Sequence, residues 1–240
     1  MHYSIKKLGL LITASLLVSA CSNDGPSDTI TPPPPLPTSK YQVTVTNATH
    51  GQPFSPVAVI SHNSNYQAFT IGQPATLGLE TLAEGGDNSA LLSEAVASGN
   101  SNAQASGSGV ILPGAKETIE LTIIRNNANS LSIVTMLVNT NDAITGHTNI
   151  DISQLSVGDS IRLNGVAYDA GTELNTELAG TIPGPADGGQ GFSSLRDDIA
   201  DQVTMHPGVV TSDDGLSNSV LTEMHRFDNH TLTIEITRTE

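Results

Sequence analysis

Alternation of apolar and polar positions is the strongest signal along the chain. Between Tyr41 and Asn47, Val43 and Val45 share one face while Gln42, Thr44 and Thr46 occupy the other. This period of two is that of a half-buried strand. The pattern returns at Thr118–Ile124, with Ile119, Leu121 and Ile123 aligned, and at Thr231–Thr237, with Leu232, Ile234 and Ile236 aligned. Val57–Ser61 starts another strand and Ser160–Tyr168 reads as a weaker one. Leu131–Val138 is almost continuously apolar, as a central strand buried on both faces requires. Helical composition is confined to Ala75–Ala83 and Asn88–Ser98, with Asp87 as N-cap of the second and Gly99 as its end. The small, polar run Gly99–Gly109 and the glycine- and proline-rich run Gly180–Gly191 read as loops. Ser193–Gln202 has the spacing of a short helix with Leu195 and Ile199 turned inward.

Strands at both ends, with helices in one insertion, predict a mainly β protein. The expected fold is an antiparallel β-sandwich with one or two short helices inserted. A doubly wound α/β fold would need helices between successive strands, and the pattern offers none after about residue 100. No internal repeat is visible.

The first forty residues break from this pattern. Lys6 and Lys7 precede the apolar run Leu8–Val18, which is too short for a membrane-spanning helix. It ends in Val18-Ser19-Ala20-Cys21, small residues before a cysteine, resembling a bacterial lipobox with Cys21 as the lipidated first mature residue. The expected organisation is a lipoprotein signal peptide over 1–20, a proline-rich linker over 21–40 and one domain over 41–240. The prolines at 32–35 and 37 favour extended polyproline II, suited to a stalk. Ser22 after the cysteine, rather than Asp, points to outer-membrane sorting in the bacterial cell envelope. Cys21 is the only cysteine, so no intrachain disulfide can form.

Charge narrows the partners. The formal net charge is −15, and it becomes more negative once Lys6 and Lys7 are removed. Nucleic acid needs a basic face and is excluded as a partner. An exported domain that attracts cations fits. Aromatic residues are 3% with no tryptophan, which disfavours a sugar-stacking platform.

Two oxygen-rich segments follow strands. Asn139-Thr140-Asn141-Asp142-Ala143-Ile144-Thr145-Gly146 trails the most apolar run, and Ala167-Tyr168-Asp169-Ala170-Gly171-Thr172-Glu173 trails the weaker strand. Calcium takes six to eight oxygen ligands, carboxylates mixed with carbonyls and water. Asp142, Asp169 and Glu173 supply carboxylates, Gly171 permits an unusual backbone angle, and the spacing of four across a turn lets Asp169 and Glu173 converge. Asn141, Thr172 and loop carbonyls could complete a shell. Asp-x-Gly-Thr is equally a common turn in which Asp bonds its own backbone. The EF-hand pattern is not matched.

These residues resemble the spondin N-terminal domain, as found in bacterial spondin-domain lipoproteins. The likeness rests on Asn-Asp-Ala-Ile-Thr-Gly followed by Tyr-Asp-Ala-Gly-Thr-Glu. It extends to Gly51-Gln52-Pro53-Phe54-Ser55-Pro56, Ala83-Glu84-Gly85-Gly86-Asp87, Thr181-Ile182-Pro183, Met205-His206-Pro207-Gly208 and His225-Arg226-Phe227-Asp228-Asn229. The resemblance implies a C2-like sandwich with a calcium site at one end, its ligands falling on Asp142, Asp169 and Glu173. Glu173 departs from the family's aspartate and Ala143 from its aromatic.

Enzyme signatures are weak. The histidines lack His-Glu-x-x-His or His-x-His spacing, although His206 and His225 could approach each other. No Gly-x-Ser-x-Gly elbow is present. The pairs Asp197-Asp198 and Asp213-Asp214 read as solvated. The expectation is a non-enzymatic cell-envelope lipoprotein, held to the membrane through the lipid on Cys21, with a calcium-binding sandwich serving recognition or adhesion. Its partner would be an extracellular or periplasmic protein or glycan. The alternatives are a carbohydrate-binding module and an envelope hydrolase.

Overall fold

The computed structural model describes residues 35–125, 128–228 and 230–240. The signal segment, Cys21, the prolines before residue 35 and Asn229 of the carboxyl-terminal motif lie outside these residues. Among the described residues no helix is long and apolar enough to cross a membrane.

Two antiparallel sheets form the frame. The first strand, β1 (Thr38–Asn47), sits between β4 (Lys116–Ile124) and β10 (Leu232–Arg238), and β7 (Ser160–Gly165) completes a four-stranded sheet in the order β4-β1-β10-β7. The second sheet contains β2 (Ala58–His62), β3 (Ser101–Ser106), β5 (Ser130–Met136), β6 (Ala143–Asp151), β8 (Ala167–Asp169) and β9 (Thr204–Met205), in the order β3-β2-β5-β6-β8-β9. The inward set of β1, Val43 and Val45, pairs with Ile236 and Ile234 of β10. These side chains pack against Val59, Leu131 and Ile133 of the other sheet in one continuous core.

The second sheet is covered on its other face. Helices α1 (Leu77–Gly85) and α2 (Ser89–Ala97) pack Leu79, Leu82 and Leu91 against Ala58, Ile60, Val134 and Ile144. Every residue of β2 and β5 is therefore buried. This explains the almost continuously apolar run at 131–138: one side faces the partner sheet and the other faces helices. The α1 helix is capped by Thr76, whose hydroxyl accepts from Leu79 N, and ends at Gly86 in the left-handed region.

Five expectations need correction. Residues 101–106, read as loop, form the edge strand β3, because pairing with β2 and half-burial of Ala103 and Ala105 outweigh weak strand propensity. The segment 160–168 is two strands in different sheets, β7 on β10 and β8 on β6, with the chain crossing at Val166. Only the first half of 139–146 is a turn; Ala143 onward belongs to β6. The second helix has Asn88 at its N-cap position, while Asp87 accepts from Ser89 N. No helix forms over 193–202, where Leu195 and Ile199 are 73% and 92% exposed.

Candidate metal centre

The turn joining β5 to β6 is held from within. Thr140 donates its hydroxyl to Leu137 O and accepts from Ala143 N. Gln52, fully buried, accepts from Asn139 N and donates to Asn139 O and to His225 O. Asn139 donates to Gly51 O and accepts from Ala186 N. Gly51 is needed because a Cβ there would lie 2.1 Å from Met224 O. The Gly51-Gln52 motif is thus a clamp that ties the first connection, the 139–142 turn and the carboxyl-terminal loops together.

That clamp sets Asp142 one residue before β6, beside Asp169 at the end of β8, whose register partner is Ala143. Asp142 is fully buried. Its Oδ2 accepts from Thr172 N at 2.8 Å, Glu173 N at 3.1 Å and the Thr172 hydroxyl at 3.2 Å. Its Oδ1 is buried with no hydrogen-bond partner. Asp169 accepts from Gly171 N and from Asn175 Nδ2. Gly171 has φ +72°, and a Cβ on it would meet Gln202 O at 2.4 Å, so only glycine lets the acidic loop fold this closely.

Burial and like charge act together here. Burial first, and then the Asp169 charge, push the Asp142 carboxyl up to about 7 against the lowering effect of its amide donors. Burial raises Asp169 as well, with Asp198 adding to it. Glu173 is pushed up to about 7 by burial and then by Glu84, Asp142 and Asp197. Asp142 is therefore linked by like charge to both of the others, to Asp169 and to Glu173, and Glu173 to Glu84 as well.

Two members of this cluster were given no site role by the sequence. Glu84, on the last turn of α1, is 1% exposed; its Oε2 accepts from Ser193 N and its Oε1 is buried without a partner. Its signal was the spacing from Glu80, which puts two buried carboxylates on the apolar face of one helix. Asp197, read as solvated, accepts from Leu174 N and donates its own amide to Thr172 O, bracing the acidic loop from outside. No sequence spacing relates it to Glu173.

The donor chemistry suits a hard cation. Carboxylate oxygens predominate, and two buried ones, on Asp142 and Glu84, lack hydrogen-bond partners. The side chains are not gathered into a finished cage: among the described residues no group of three or more His, Cys, Asp or Glu is arranged to hold a metal ion.

His206 and His225 stay with their own neighbours. His206 accepts at Nδ1 from Gly208 N, which leaves Nε2 to donate to Asn175 Oδ1 at 3.2 Å, and its ring meets that of Phe227 in a tilted contact. His225 accepts at Nδ1 from Thr222 N. Burial holds the His206 imidazole down at about 4, so it is neutral.

No curated protein matches the chain. The Spondin_N family model matches residues 42–179, from β1 through the acidic loop. That span contains Glu84, Asp142, Asp169 and Glu173 and stops short of Asp197 and His206. With more than half of its length matched, and with two antiparallel sheets of four and six strands, the chain belongs to the spondin N-terminal domain family.

Proposed function

We propose that the chain is a cell-envelope lipoprotein, anchored through Cys21, whose spondin domain binds calcium and acts as a recognition or adhesion module rather than as an enzyme. The observation that carries the calcium reading is the buried, partnerless Oδ1 of Asp142 among the carboxylates of Asp169, Glu173 and Glu84. Asp142, Asp169 and Glu173 would hold the ion, and calcium would supply the positive charge that these groups lack among themselves. The protein's own contribution is preorganisation: the Gln52 clamp fixes Asp142, and Gly171 folds the loop that carries Glu173 back towards it.

Lipid anchoring rests on the Val-Ser-Ala-Cys sequence and the proline-rich segment that follows it. The adhesion role rests on family membership and on the absence from the sequence of a nucleophile elbow or a metalloprotease spacing. The partner would be an extracellular or periplasmic protein or glycan.

Calorimetric titration with calcium, paired with melting curves in calcium and in chelator, tests the reading. Wild type should bind calcium and melt higher in its presence, and Asp169→Ala should lose both effects. Wild-type protein that neither binds nor shifts at millimolar calcium would overturn it.

A further inference from the structure

At the ends of β1 and β4, the two sheets part around a cleft of about 200 Å³. Its charge contrasts with the rest of this acidic chain. Arg125, just after β4, and Arg238, at the end of β10, both line it. Among the described residues, neither forms a salt bridge with an acidic side chain, whereas Arg162, Arg196 and Arg226 all do. Their positions are fixed all the same. Arg125 donates from Nε to the buried Ser39 hydroxyl at 2.7 Å. Arg238 donates from Nε to Glu240 O and from Nη1 to Leu155 O.

Each guanidinium is thus pinned through part of its edge by a hydroxyl or by main-chain oxygens, and among the described residues neither Nη group of Arg125 nor Nη2 of Arg238 has a hydrogen-bond partner. Beneath them the lining is apolar and buried, from Tyr41, Ile123 and Ile152. The carboxylates of this end are already engaged: Asp151 accepts from Ser153 N and Glu240 pairs with Lys40.

We propose that this cleft binds a carboxylate carried on a small aliphatic body. Guanidinium edges match the planar carboxylate with paired hydrogen bonds. The apolar lining takes the aliphatic part. A monovalent anion suits the site better than a polyvalent one, because the net charge of −15 repels each added negative charge. Such a carboxylate could end a peptide or belong to an acidic sugar.

The test titrates the full chain, in chelator and at low ionic strength, with N-acetylalanine, glucuronate and inorganic phosphate. Nitrogen-15 NMR of the arginine side chains is the readout. N-acetylalanine or glucuronate should saturate, with the largest shifts at Arg125 and Arg238, and the tighter of the two identifies the source. Arg125→Gln and Arg238→Gln should each weaken binding about tenfold or more, the loss expected for one charge-assisted hydrogen bond. Arg162→Gln, whose partner is Glu235, should leave binding unchanged and controls for net charge. Saturation by phosphate alone, or N-acetylalanine shifts that persist in Arg125→Gln, would overturn the proposal. Chelator removes calcium from the experiment, so its outcome is independent of the acidic site.

Discussion

Asp142 would serve the proposed ion at the expense of the fold. Its Oδ2 is well satisfied by the amides of Thr172 and Glu173, yet its Oδ1 is buried with nothing to accept from. An ionised group in that position is destabilising unless a positive charge joins it. Asparagine has the same shape and no charge, and its carbonyl can still take the amide donors. In chelator, Asp142→Asn should therefore melt higher than wild type, by several degrees for roughly 1–2 kcal/mol in a domain of this size. In calcium the order should reverse, because the variant gains nothing from the ion. Differential scanning calorimetry in both conditions reads this crossover, and a variant that melts lower than wild type in both would show Asp142 to be purely structural. Glu173 is the more adaptable member: it is half-buried, and its extra methylene relative to the family's aspartate lengthens its reach towards Asp142 and Glu84.

At the scale of elements, legibility followed local pattern. Strands β1, β4, β5 and β10 were readable because each buries a face set by its own alternation or apolar run. Strand β3 was not, since Ser-Asn-Ala-Gln-Ala-Ser carries no strand signal and owes its conformation to β2 beside it. The sheet switch at Val166 was hidden for a similar reason, as the apolar pattern runs on while the hydrogen-bond partner changes from β10 to β6. Leu195 and Ile199 have helical spacing, but Arg196 between them is drawn to Glu80 and to Ala75 O, which holds that segment open. The site divides in the same way. Asp142, Asp169 and Glu173 lie in two short motifs, whereas Glu84 and Asp197 arrive from a helix and a distant loop. The Gln52 clamp is the element-scale device that holds the 139–142 turn, and with it Asp142, to the carboxyl-terminal loops. Gln52→Ala strips three hydrogen bonds from buried or part-buried main-chain groups of Asn139 and His225. It should lower stability by about 2–4 kcal/mol in a urea titration. The calcium-induced rise in melting temperature should shrink with it, because the 139–142 turn loses its anchor. A loss of stability with the full calcium response intact would separate the clamp from the site.

For the molecule as a whole, acidification sets two opposing groups of side chains against each other. The raised carboxylates Asp142, Asp169, Glu173 and Glu84 take up protons in the folded state before the unfolded chain does, so they favour folding as pH falls, Asp142 and Glu173 from about 7. His206 works in the other direction. Packed on Phe227, bonded to Gly208 N and Asn175, and in the same cleft as Asp228, it is held neutral with its value down at about 4 by burial, against 6.5 for the unfolded chain. Below 6.5 the unfolded state gains a proton that the folded state refuses. Its contribution is therefore complete above 6.5, declines as pH falls towards 4 and is constant below that. Between pH 7.5 and pH 5 the loss from this residue alone is about 2 kcal/mol. Comparison with His206→Gln isolates it: the Gln amide can keep the donor to Asn175 Oδ1, so the carboxylates are common to both proteins and cancel in the difference. In chelator, the stability gap between wild type and variant should narrow by that amount, or invert, on going from pH 7.5 to pH 5 in paired urea titrations. Parallel stability–pH curves for the two proteins would mean that His206 charges as freely in the fold as outside it. Asn175 is the side chain that joins the two groups, since it accepts from His206 Nε2 and donates to Asp169. Gly208 N, by donating to Nδ1, leaves Nε2 as the donor to Asn175 Oδ1 and so turns the amide nitrogen to the acidic loop; the histidine cleft thereby fixes the posture of the carboxylate that the proposed ion would use.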